Sequence, residues 1–426
     1  MERKMKDSGV EWLGEIPETW EIVRAKNIFT NHKNIVGDKE VEYERLSLTL
    51  NGVLKRPKND SKGLQSESFA TYQILNEKEL VFKMIDLENV NTSRVGYSQY
   101  TGLVSPVYII LNNEKYTRYG YYYFYNMWQR AIFNQLGNNG VRSALNASDM
   151  LNLPFLQISH EEAEKIADFL DEKIAEIDVI ISNTKNSVEE YRKYKQAVIS
   201  EVVNRGLDSD VPMKDSGIEW IGKIPTEYSV IKLKYIADIV RGGSPRPAGD
   251  LRYYEGNIPF MKISDITKDD GIYVDSCVGS IKEAGLSNTR MVEADTLLLT
   301  NSGATLGIPK INTFKTTFND GIAAFLNLDS KIDIVFAYYA LKSKTKYFLE
   351  VASMGMGQPN LNTDIIGATH IVIPPLEEQK RIVKFLVKKC EDIDNLIAKK
   401  EAFVEEMEAY KKSLIYEYVT GKKEVL

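Results

Sequence analysis

"ADFLDEKIAEIDVIISNTKNSVEEYRKYKQAVISEVV" occupies residues 167–203, and "VKFLVKKCEDIDNLIAKKEAFVEEMEAYKKSLIYEYV" occupies residues 383–419. In the first stretch Leu170, Ile174, Ile177, Ile181, Thr184, Val188, Tyr191, Lys195, Val198 and Val202 follow one another by alternating steps of four and three. The same steps in the second give Leu386, Cys390, Ile393, Ile397, Lys400, Val404, Met407, Lys411, Leu414 and Tyr418. A 3.5-residue period is the seam of a coiled coil. The polar interruptions coincide, Thr184 with Lys400 and Lys195 with Lys411, and no proline enters either stretch. About forty residues rising 1.5 Å each predict a helix of roughly 60 Å. Such a helix cannot leave its apolar stripe in water, and its own copy is the simplest partner. The heptads alone leave parallel and antiparallel pairing open. The order globule, helix, globule, helix closes naturally with antiparallel helices and a pseudo-two-fold axis.

A second repeat precedes each globule. "MKDSGVEWLGEIP" (Met5–Pro17) returns as "MKDSGIEWIGKIP" (Met213–Pro225) with three of the thirteen positions changed. Repeats are read first because they fix architecture. Between them, residues 30–143 and 238–357 do not match each other. Both read as mixed α/β, with strands expected in Val104–Asn112, Asp295–Gly303 and Ala323–Asp329. Aromatic helices are expected in Arg118–Leu136 and Asp333–Glu350, their apolar spacing being that of core packing. The loop-rich "NRGLDSDVP" (Asn204–Pro212) joins the halves. The predicted fold is α/β, with two mixed α/β domains (1–155 and 208–375) separated by two long helices (156–207 and 376–426) that form an antiparallel, pseudo-two-fold coiled coil.

The chain has 426 residues and a net charge of −6. Nucleic-acid binders are usually basic, which counts mildly against that class. The acid, however, concentrates in residues 160–205, while residues 30–150 are slightly basic. No apolar run is long enough to span a membrane, and the start, MERKMKDSG, lacks a signal-peptide core. Two cysteines, Cys277 and Cys390, build no disulfide framework, so a reducing, cytoplasmic setting is expected. Catalytic signatures are missing. There is no phosphate loop with its Lys-Ser pair, no H-E-x-x-H, and His32, His160 and His370 have no metal-ligand neighbours at workable spacing. Independent catalysis is not expected.

The combination resembles a known family. "KDSGxEWxGxIP" before each globule, then a junction into a heptad helix, is similar to the specificity subunit of type I restriction–modification enzymes. The strongest stretch is "GQPNLNTDIIGATHIVIPPLEEQKRIVKFL" (Gly357–Leu386). A looser copy, "SALNASDMLNLPFLQISHEEAEKIADFL", spans Ser143–Leu170 without the Gln-Pro pair. "RGGSPRP" (Arg241–Pro247) resembles the opening of the family's recognition domains, and the first globule lacks it. The resemblance implies two target-recognition domains that each read one half of a split double-stranded DNA target, with the helices setting the gap. It also implies two methyltransferase subunits docked on the repeats and two restriction–translocase subunits. S-adenosylmethionine, ATP and Mg would belong to those partners, leaving no cofactor in this chain. A coiled-coil scaffold without DNA binding, and a degenerate methyltransferase, are the competing classes.

DNA contacts call for donors on loops, Arg and Lys for phosphate, and Arg, Asn, Gln, Ser or Thr for base edges. In the second globule these are Arg241, Ser244 and Arg246 on the glycine loop, with Lys262, Ser264, Asn301, Ser302 and Thr305. The glycines are expected to bring backbone N–H groups to phosphate. In the first globule they are Lys83, Asn91, Ser93, Arg94, Tyr97, Ser98, Gln135, Asn138 and Arg142. "NVNTSRVGYSQYTG" (Asn89–Gly102) reads equally as a recognition loop or a surface hairpin. Gln358 and Asn360 are expected to cap the helix junction, and Trp12 and Trp220 to anchor the repeats in a core. Lys6, Asp7 and Ser8, with Lys214, Asp215 and Ser216, are polar yet duplicated. They are either partner-docking residues or a structural turn before the tryptophan.

Overall fold

Helix formation follows the heptad seam. The first long helix runs His160–Arg205 and the second Leu376–Val419. Every seam position named above is buried or half-buried. The structure is a computed structural model that describes residues 3–56, 68–88, 92–136, 144–353 and 360–425. The chain divides into two compact units, one of Met1–Lys185 with Glu401–Leu426 and the other of Asn186–Lys400. Each unit therefore contains a segment of both long helices.

In the first unit Phe169 stacks near Tyr418 (4.4 Å between centroids), Lys411 pairs with Asp178 (2.6 Å) and Lys185 with Glu408 (2.9 Å). Residue numbers rise on one helix as they fall on the other, so the segments run antiparallel. In the second unit Lys400 lies over Tyr191 (5.6 Å), and Lys195 bonds both oxygens of Asp394 (2.8 Å each). Lys389 lies over Tyr194 (5.5 Å), again in opposed order. The two lysines that break the seam thus find the aspartates that the repeat also duplicates. Lys195 is buried and Lys411 half-buried, and a charge in such a place requires a partner.

Each unit begins with the same frame. The hairpin Met5–Asp7/Glu15–Pro17 pairs Lys6 with Ile16, and Met213–Asp215/Lys223–Pro225 pairs Lys214 with Ile224. Strand Glu21–Arg24 then pairs antiparallel with Pro154–Gln157, and Ser229–Lys232 with His370–Ile373. A short helix precedes the second strand of each pair. Ala147–Leu151 is capped by Asn146, and Thr363–Ala368 by Asn362, whose side chain accepts from Ile365 N (2.8 Å). Asparagine suits this position because its carbonyl satisfies an otherwise unpaired N–H. Asn362 therefore does the capping expected of Gln358 and Asn360. Asn360 is exposed and bridges to Ser302, and Gln358 lies outside the described residues.

The inserts differ. The first unit has two four-stranded sheets, ordered (Gly52–Arg56)-(Arg45–Thr49)-(Gly102–Val104)-(Gln73–Leu75) and (Thr30–His32)-(Ile109–Asn112)-(Leu80–Phe82)-(Val95–Tyr97). Helix Thr117–Gln129 supplies the aromatic core expected of it. Phe155 is fully buried with Phe29, Tyr119, Tyr123 and Phe124 at ring separations of 5.0, 5.8, 4.8 and 5.7 Å. The second unit has a five-stranded sheet, (Asp238–Arg241)-(Ile322–Leu326)-(Thr296–Thr300)-(Pro309–Asn312)-(Tyr273–Val274). Its four-stranded sheet is (Ser280–Ile281)-(Tyr254–Met261)-(Thr316–Phe318)-(Arg290–Val292). Helix Ile334–Lys342 starts on Asp333, whose carboxylate accepts from Val335 N and Phe336 N (2.9 Å each).

The duplicated tryptophans part company. Trp12 is half-buried, edge-on to Tyr123 at 5.7 Å, in the first core. Trp220 is 46% exposed, so it anchors no core. It stacks on Tyr347 (5.3 Å) with the Lys344 ammonium 4.2 Å from its ring centroid. Burial drives the Lys344 pKa down from 10.5 to about 8. The folded state then holds fewer protons than the unfolded chain between those two values, and stability rises with pH across that window. The second unit is expected to gain stability as pH goes from 8 to 10. Lys344→Met should abolish that gain and raise the thermal midpoint at pH 7, both read by thermal unfolding.

Candidate nucleic-acid interface

The glycine loop of the second globule leaves strand Asp238–Arg241 and passes through a narrow gap. A Cβ on Gly242 would stand 2.3 Å from Asn319 O, and one on Gly243 would stand 2.2 Å from Asn288 O. Only glycine fits there. Both N–H groups are already used, Gly242 N to Ile322 O (3.0 Å) and Gly243 N to Phe318 O (3.1 Å). The expected cradle for phosphate is therefore corrected. These glycines admit the chain's own backbone, and the donors that remain are side chains.

Those side chains gather on the turn Asn319–Gly321. Arg241 Nε donates to Asp320 O (2.6 Å), Ser244 Oγ to Asp320 Oδ1 (2.7 Å), and Arg246 lies 3.6 Å from Asp320 Oδ2. Arg290, which sequence reasoning missed, donates to Arg241 O (3.0 Å). The segment that carries Lys262 and Ser264 touches the turn through its neighbours Met261 and Ile263. Asn319 N bonds Met261 O (3.0 Å), and the Ile263 side chain lies against Gly321. Asn301 N bonds Gly321 O (2.9 Å), and Ser302 Oγ is close to the same glycine. Arg241, Ser244, Arg246, Asn301 and Ser302 thus meet at one turn, and Lys262 and Ser264 adjoin the residues, Met261 and Ile263, that touch it. Arg241, Arg246, Lys262, Ser264, Arg290 and Thr305 are exposed. Asn301 is not. It is fully buried and neither amide atom has a hydrogen-bond partner, so as placed it reaches no base edge.

The first globule is corrected further. Ser93, Arg94 and Ser98 are buried, and Val95–Tyr97 is a strand paired with Leu80–Phe82. Over its described residues, 92–102, the stretch holds one arm of an antiparallel strand pair with Ser93, Arg94 and Ser98 buried, which corrects the exposed reading loop that was one of the two expectations. Each serine hydroxyl bonds the backbone two residues on, Ser93 to Val95 O and Ser98 to Tyr100 O (2.6 Å each). This local side-chain bonding lets a polar residue sit inside. Arg94 donates to Asp86 O and to Thr92 Oγ1 (3.2 Å). Lys83 is half-buried and donates to Thr92 Oγ1 (3.3 Å), and burial followed by the Arg94 charge lowers its pKa. Tyr97 is half-buried, 6.3 Å from Tyr121, and Gln135 is exposed. Asn91, Asn138 and Arg142 lie outside the described residues.

At the repeats, Asp7 Oδ1 accepts from Gly9 N and Asp215 Oδ1 from Gly217 N (2.9 Å each). Ser8 and Ser216 accept from Val10 N and Ile218 N (3.1 and 3.2 Å). Lys6 donates to Glu18 O (2.9 Å), and Lys214 is exposed. Four of the six duplicated polar side chains therefore shape a turn. Gln379 was also missed. It is buried where the second long helix begins, donating to Lys331 O and Pro374 O (3.0 and 2.9 Å) and accepting from Asp333 N (2.8 Å). Among the described residues no cluster is arranged to hold a metal, and no helix is long and apolar enough to cross a membrane.

Residues 225–406, which include this loop cluster and the second helix junction, match the family description "Type I restriction modification DNA specificity domain". Over this stretch the chain is similar to the specificity subunits of type I restriction–modification enzymes. The MjaVIII specificity subunit of Methanocaldococcus jannaschii is 25% identical over 433 residues, covering 96% of this chain and 93% of that protein. Among solved structures, a chain from work on complex assembly and conformational transition of the type I R-M system superposes with a TM-score of 0.71. It shares 13% identity and covers 96% of this chain and 99% of its own. The HsdS subunit of Thermoanaerobacter tengcongensis gives 0.52 at 14% identity, covering 96% and 98%. At these identities the solved structures establish that specificity subunits share this mixed α/β fold.

Proposed function

We propose that this chain is the DNA-recognition subunit of a type I restriction–modification complex and carries no catalysis of its own. The observation that supports this most is one frame, built twice, holding two inserts of different sheet topology. Unlike inserts read unlike half-sites, so the target is bipartite and asymmetric. The long helices act as an antiparallel, pseudo-two-fold coiled coil that fixes the gap. The repeated frames dock two adenine-N6 methyltransferase subunits, and two restriction–translocase subunits complete the assembly. S-adenosylmethionine, ATP and Mg act in those partners. A scaffold without DNA binding is disfavoured by the specificity-domain match.

In the second globule the reading face is the cluster around Asn319–Gly321, with Arg241, Ser244, Arg246, Lys262 and Arg290 as its donors. The Arg246 side chain is 70% exposed and is assigned to phosphate. Arg246→Ala is expected to weaken binding on all sequences alike and to reduce the slope of log K against log salt by about 1. Binding of the assembled methyltransferase complex to its target across a salt series reads this. An unchanged slope removes Arg246 from the interface, and salt-independent binding throughout contradicts the DNA-recognition reading.

A further inference from the structure

The two frames differ at one place where repetition predicts sameness. In the first unit Trp20 is buried, its Nε1 donates to Glu162 (3.0 Å), and the Arg3 guanidinium lies 5.0 Å from its ring centroid while pairing with Glu162. An arginine stacked on an aromatic face and neutralised by a carboxylate is a strong local arrangement. In the second unit Tyr228 replaces Trp20, and Glu378 stands in the place of Glu162, the tyrosine hydroxyl 3.4 Å from the carboxylate. Counted along the repeat, the residue in the place of Arg3 is Val211. The aromatic ring and the carboxylate are kept, the arginine of the Arg3 position is gone, and Arg381 of the second long helix pairs with the carboxylate from outside the frame.

A cavity of about 580 Å³ opens there, lined by Tyr228, Glu378, Val211 and Pro225 among others. Four carboxylates line it, Asp208, Glu227, Glu377 and Glu378, against two arginines, Arg205 and Arg381. Arg381 bridges Glu378 (2.7 Å) and Asp208 (3.2 Å) while its side chain stays 54% exposed. Arg205 is drawn to Glu201 (3.2 Å), on the helix surface. The lining is therefore net negative, which disfavours a phosphate-bearing ligand and favours a cation.

We propose that this cavity is a socket for an arginine side chain carried by a peptide segment of a partner protein. The guanidinium enters over Tyr228 against Glu378, as Arg3 does over Trp20 against Glu162. Exposed Arg381 swings outward to make room, and the volume beyond one side chain receives the flanking backbone. The first frame fills this place from its own chain and the second leaves it to a partner, so the two docking faces are not equivalent. This inference does not depend on DNA recognition.

The test uses the full chain alone and the amidated peptide Met-Glu-Arg-Lys-Met, which copies residues 1–5. Fluorescence anisotropy of the labelled peptide is expected to show one-to-one binding, weakened at least tenfold when citrulline replaces arginine. Val211→Arg, which supplies the guanidinium from within, should abolish binding without changing the circular dichroism spectrum, and Glu378→Gln should weaken it. Equal binding of the arginine and citrulline peptides, undiminished binding by Val211→Arg, or no binding at millimolar peptide would overturn the proposal. In the assembled complex, Val211→Arg should lower retention of a partner subunit, and unchanged retention would overturn the docking role. None of these readouts involves DNA, so they stand or fall separately from the recognition function.

Discussion

Four residues inserted between Lys185 and Asn186, with four more between Lys400 and Glu401, are expected to lengthen the gap in the methylated target by about two base pairs. The two half-sites should stay the same. Each insertion adds about 6 Å of helix at 1.5 Å per residue, and duplex DNA rises about 3.4 Å per base pair. The insertion points matter. They fall at the boundary between the two compact units, so the contacts inside each unit keep their register. Lys411 still meets Asp178, and Lys195 still meets Asp394. A four-residue step is already one of the two steps of the seam, so the apolar stripe continues as a local stutter. Sequencing of methylated adenines from cells carrying the variant reads both gap and half-sites. A gap of unchanged length would mean that the helices do not measure it.

Phe155→Ala is expected to destabilise the first unit by about 3–5 kcal/mol, the range for removing a fully buried aromatic ring. Four other rings pack on Phe155, three from helix Thr117–Gln129 and Phe29 from the segment before strand Thr30–His32, and the cavity left among them cannot close without moving the backbone. Phe155 also sits in the strand pair of the duplicated frame, opposite Val23. The loss should appear in hydrogen exchange as early opening of Glu21–Arg24 and Pro154–Gln157. The equivalent pair of the second unit, Ser229–Lys232 with His370–Ile373, should stay protected. Equal loss in both pairs would show that the units do not unfold separately.

The helices and the frame were readable from the sequence because period and repetition are global signals. Leu170 to Val202 and Leu386 to Tyr418 report their burial through spacing alone, and the polar breaks Lys195 and Lys411 lie opposite duplicated aspartates. Side-chain placement within the inserts was far less legible. Ser93, Arg94 and Ser98 read in sequence as solvent-facing side chains, and only the fold shows that the serines bond their own backbone and that Arg94 reaches Asp86 O. Gly242 and Gly243 are places of close approach, but what approaches is not phosphate: it is the Phe318 and Asn319 carbonyls at the turn and the Asn288 carbonyl. The Asn319–Gly321 turn that gathers the second globule's donors carries no motif, since its role comes from neighbours distant in sequence. Trp220 misled for the opposite reason. It repeats Trp12 in sequence, but its neighbours are Tyr347 and Lys344, which belong to an insert the first half does not share.

The central claim is that this chain selects where adenine is methylated by reading two different half-sites at a set separation. Single-molecule mapping of N6-methyladenine in cells with and without the gene tests it most directly. The account predicts one asymmetric, two-part motif, fully methylated when the chain is present and unmethylated when it is absent. The same motif with the same occupancy in both strains would contradict it.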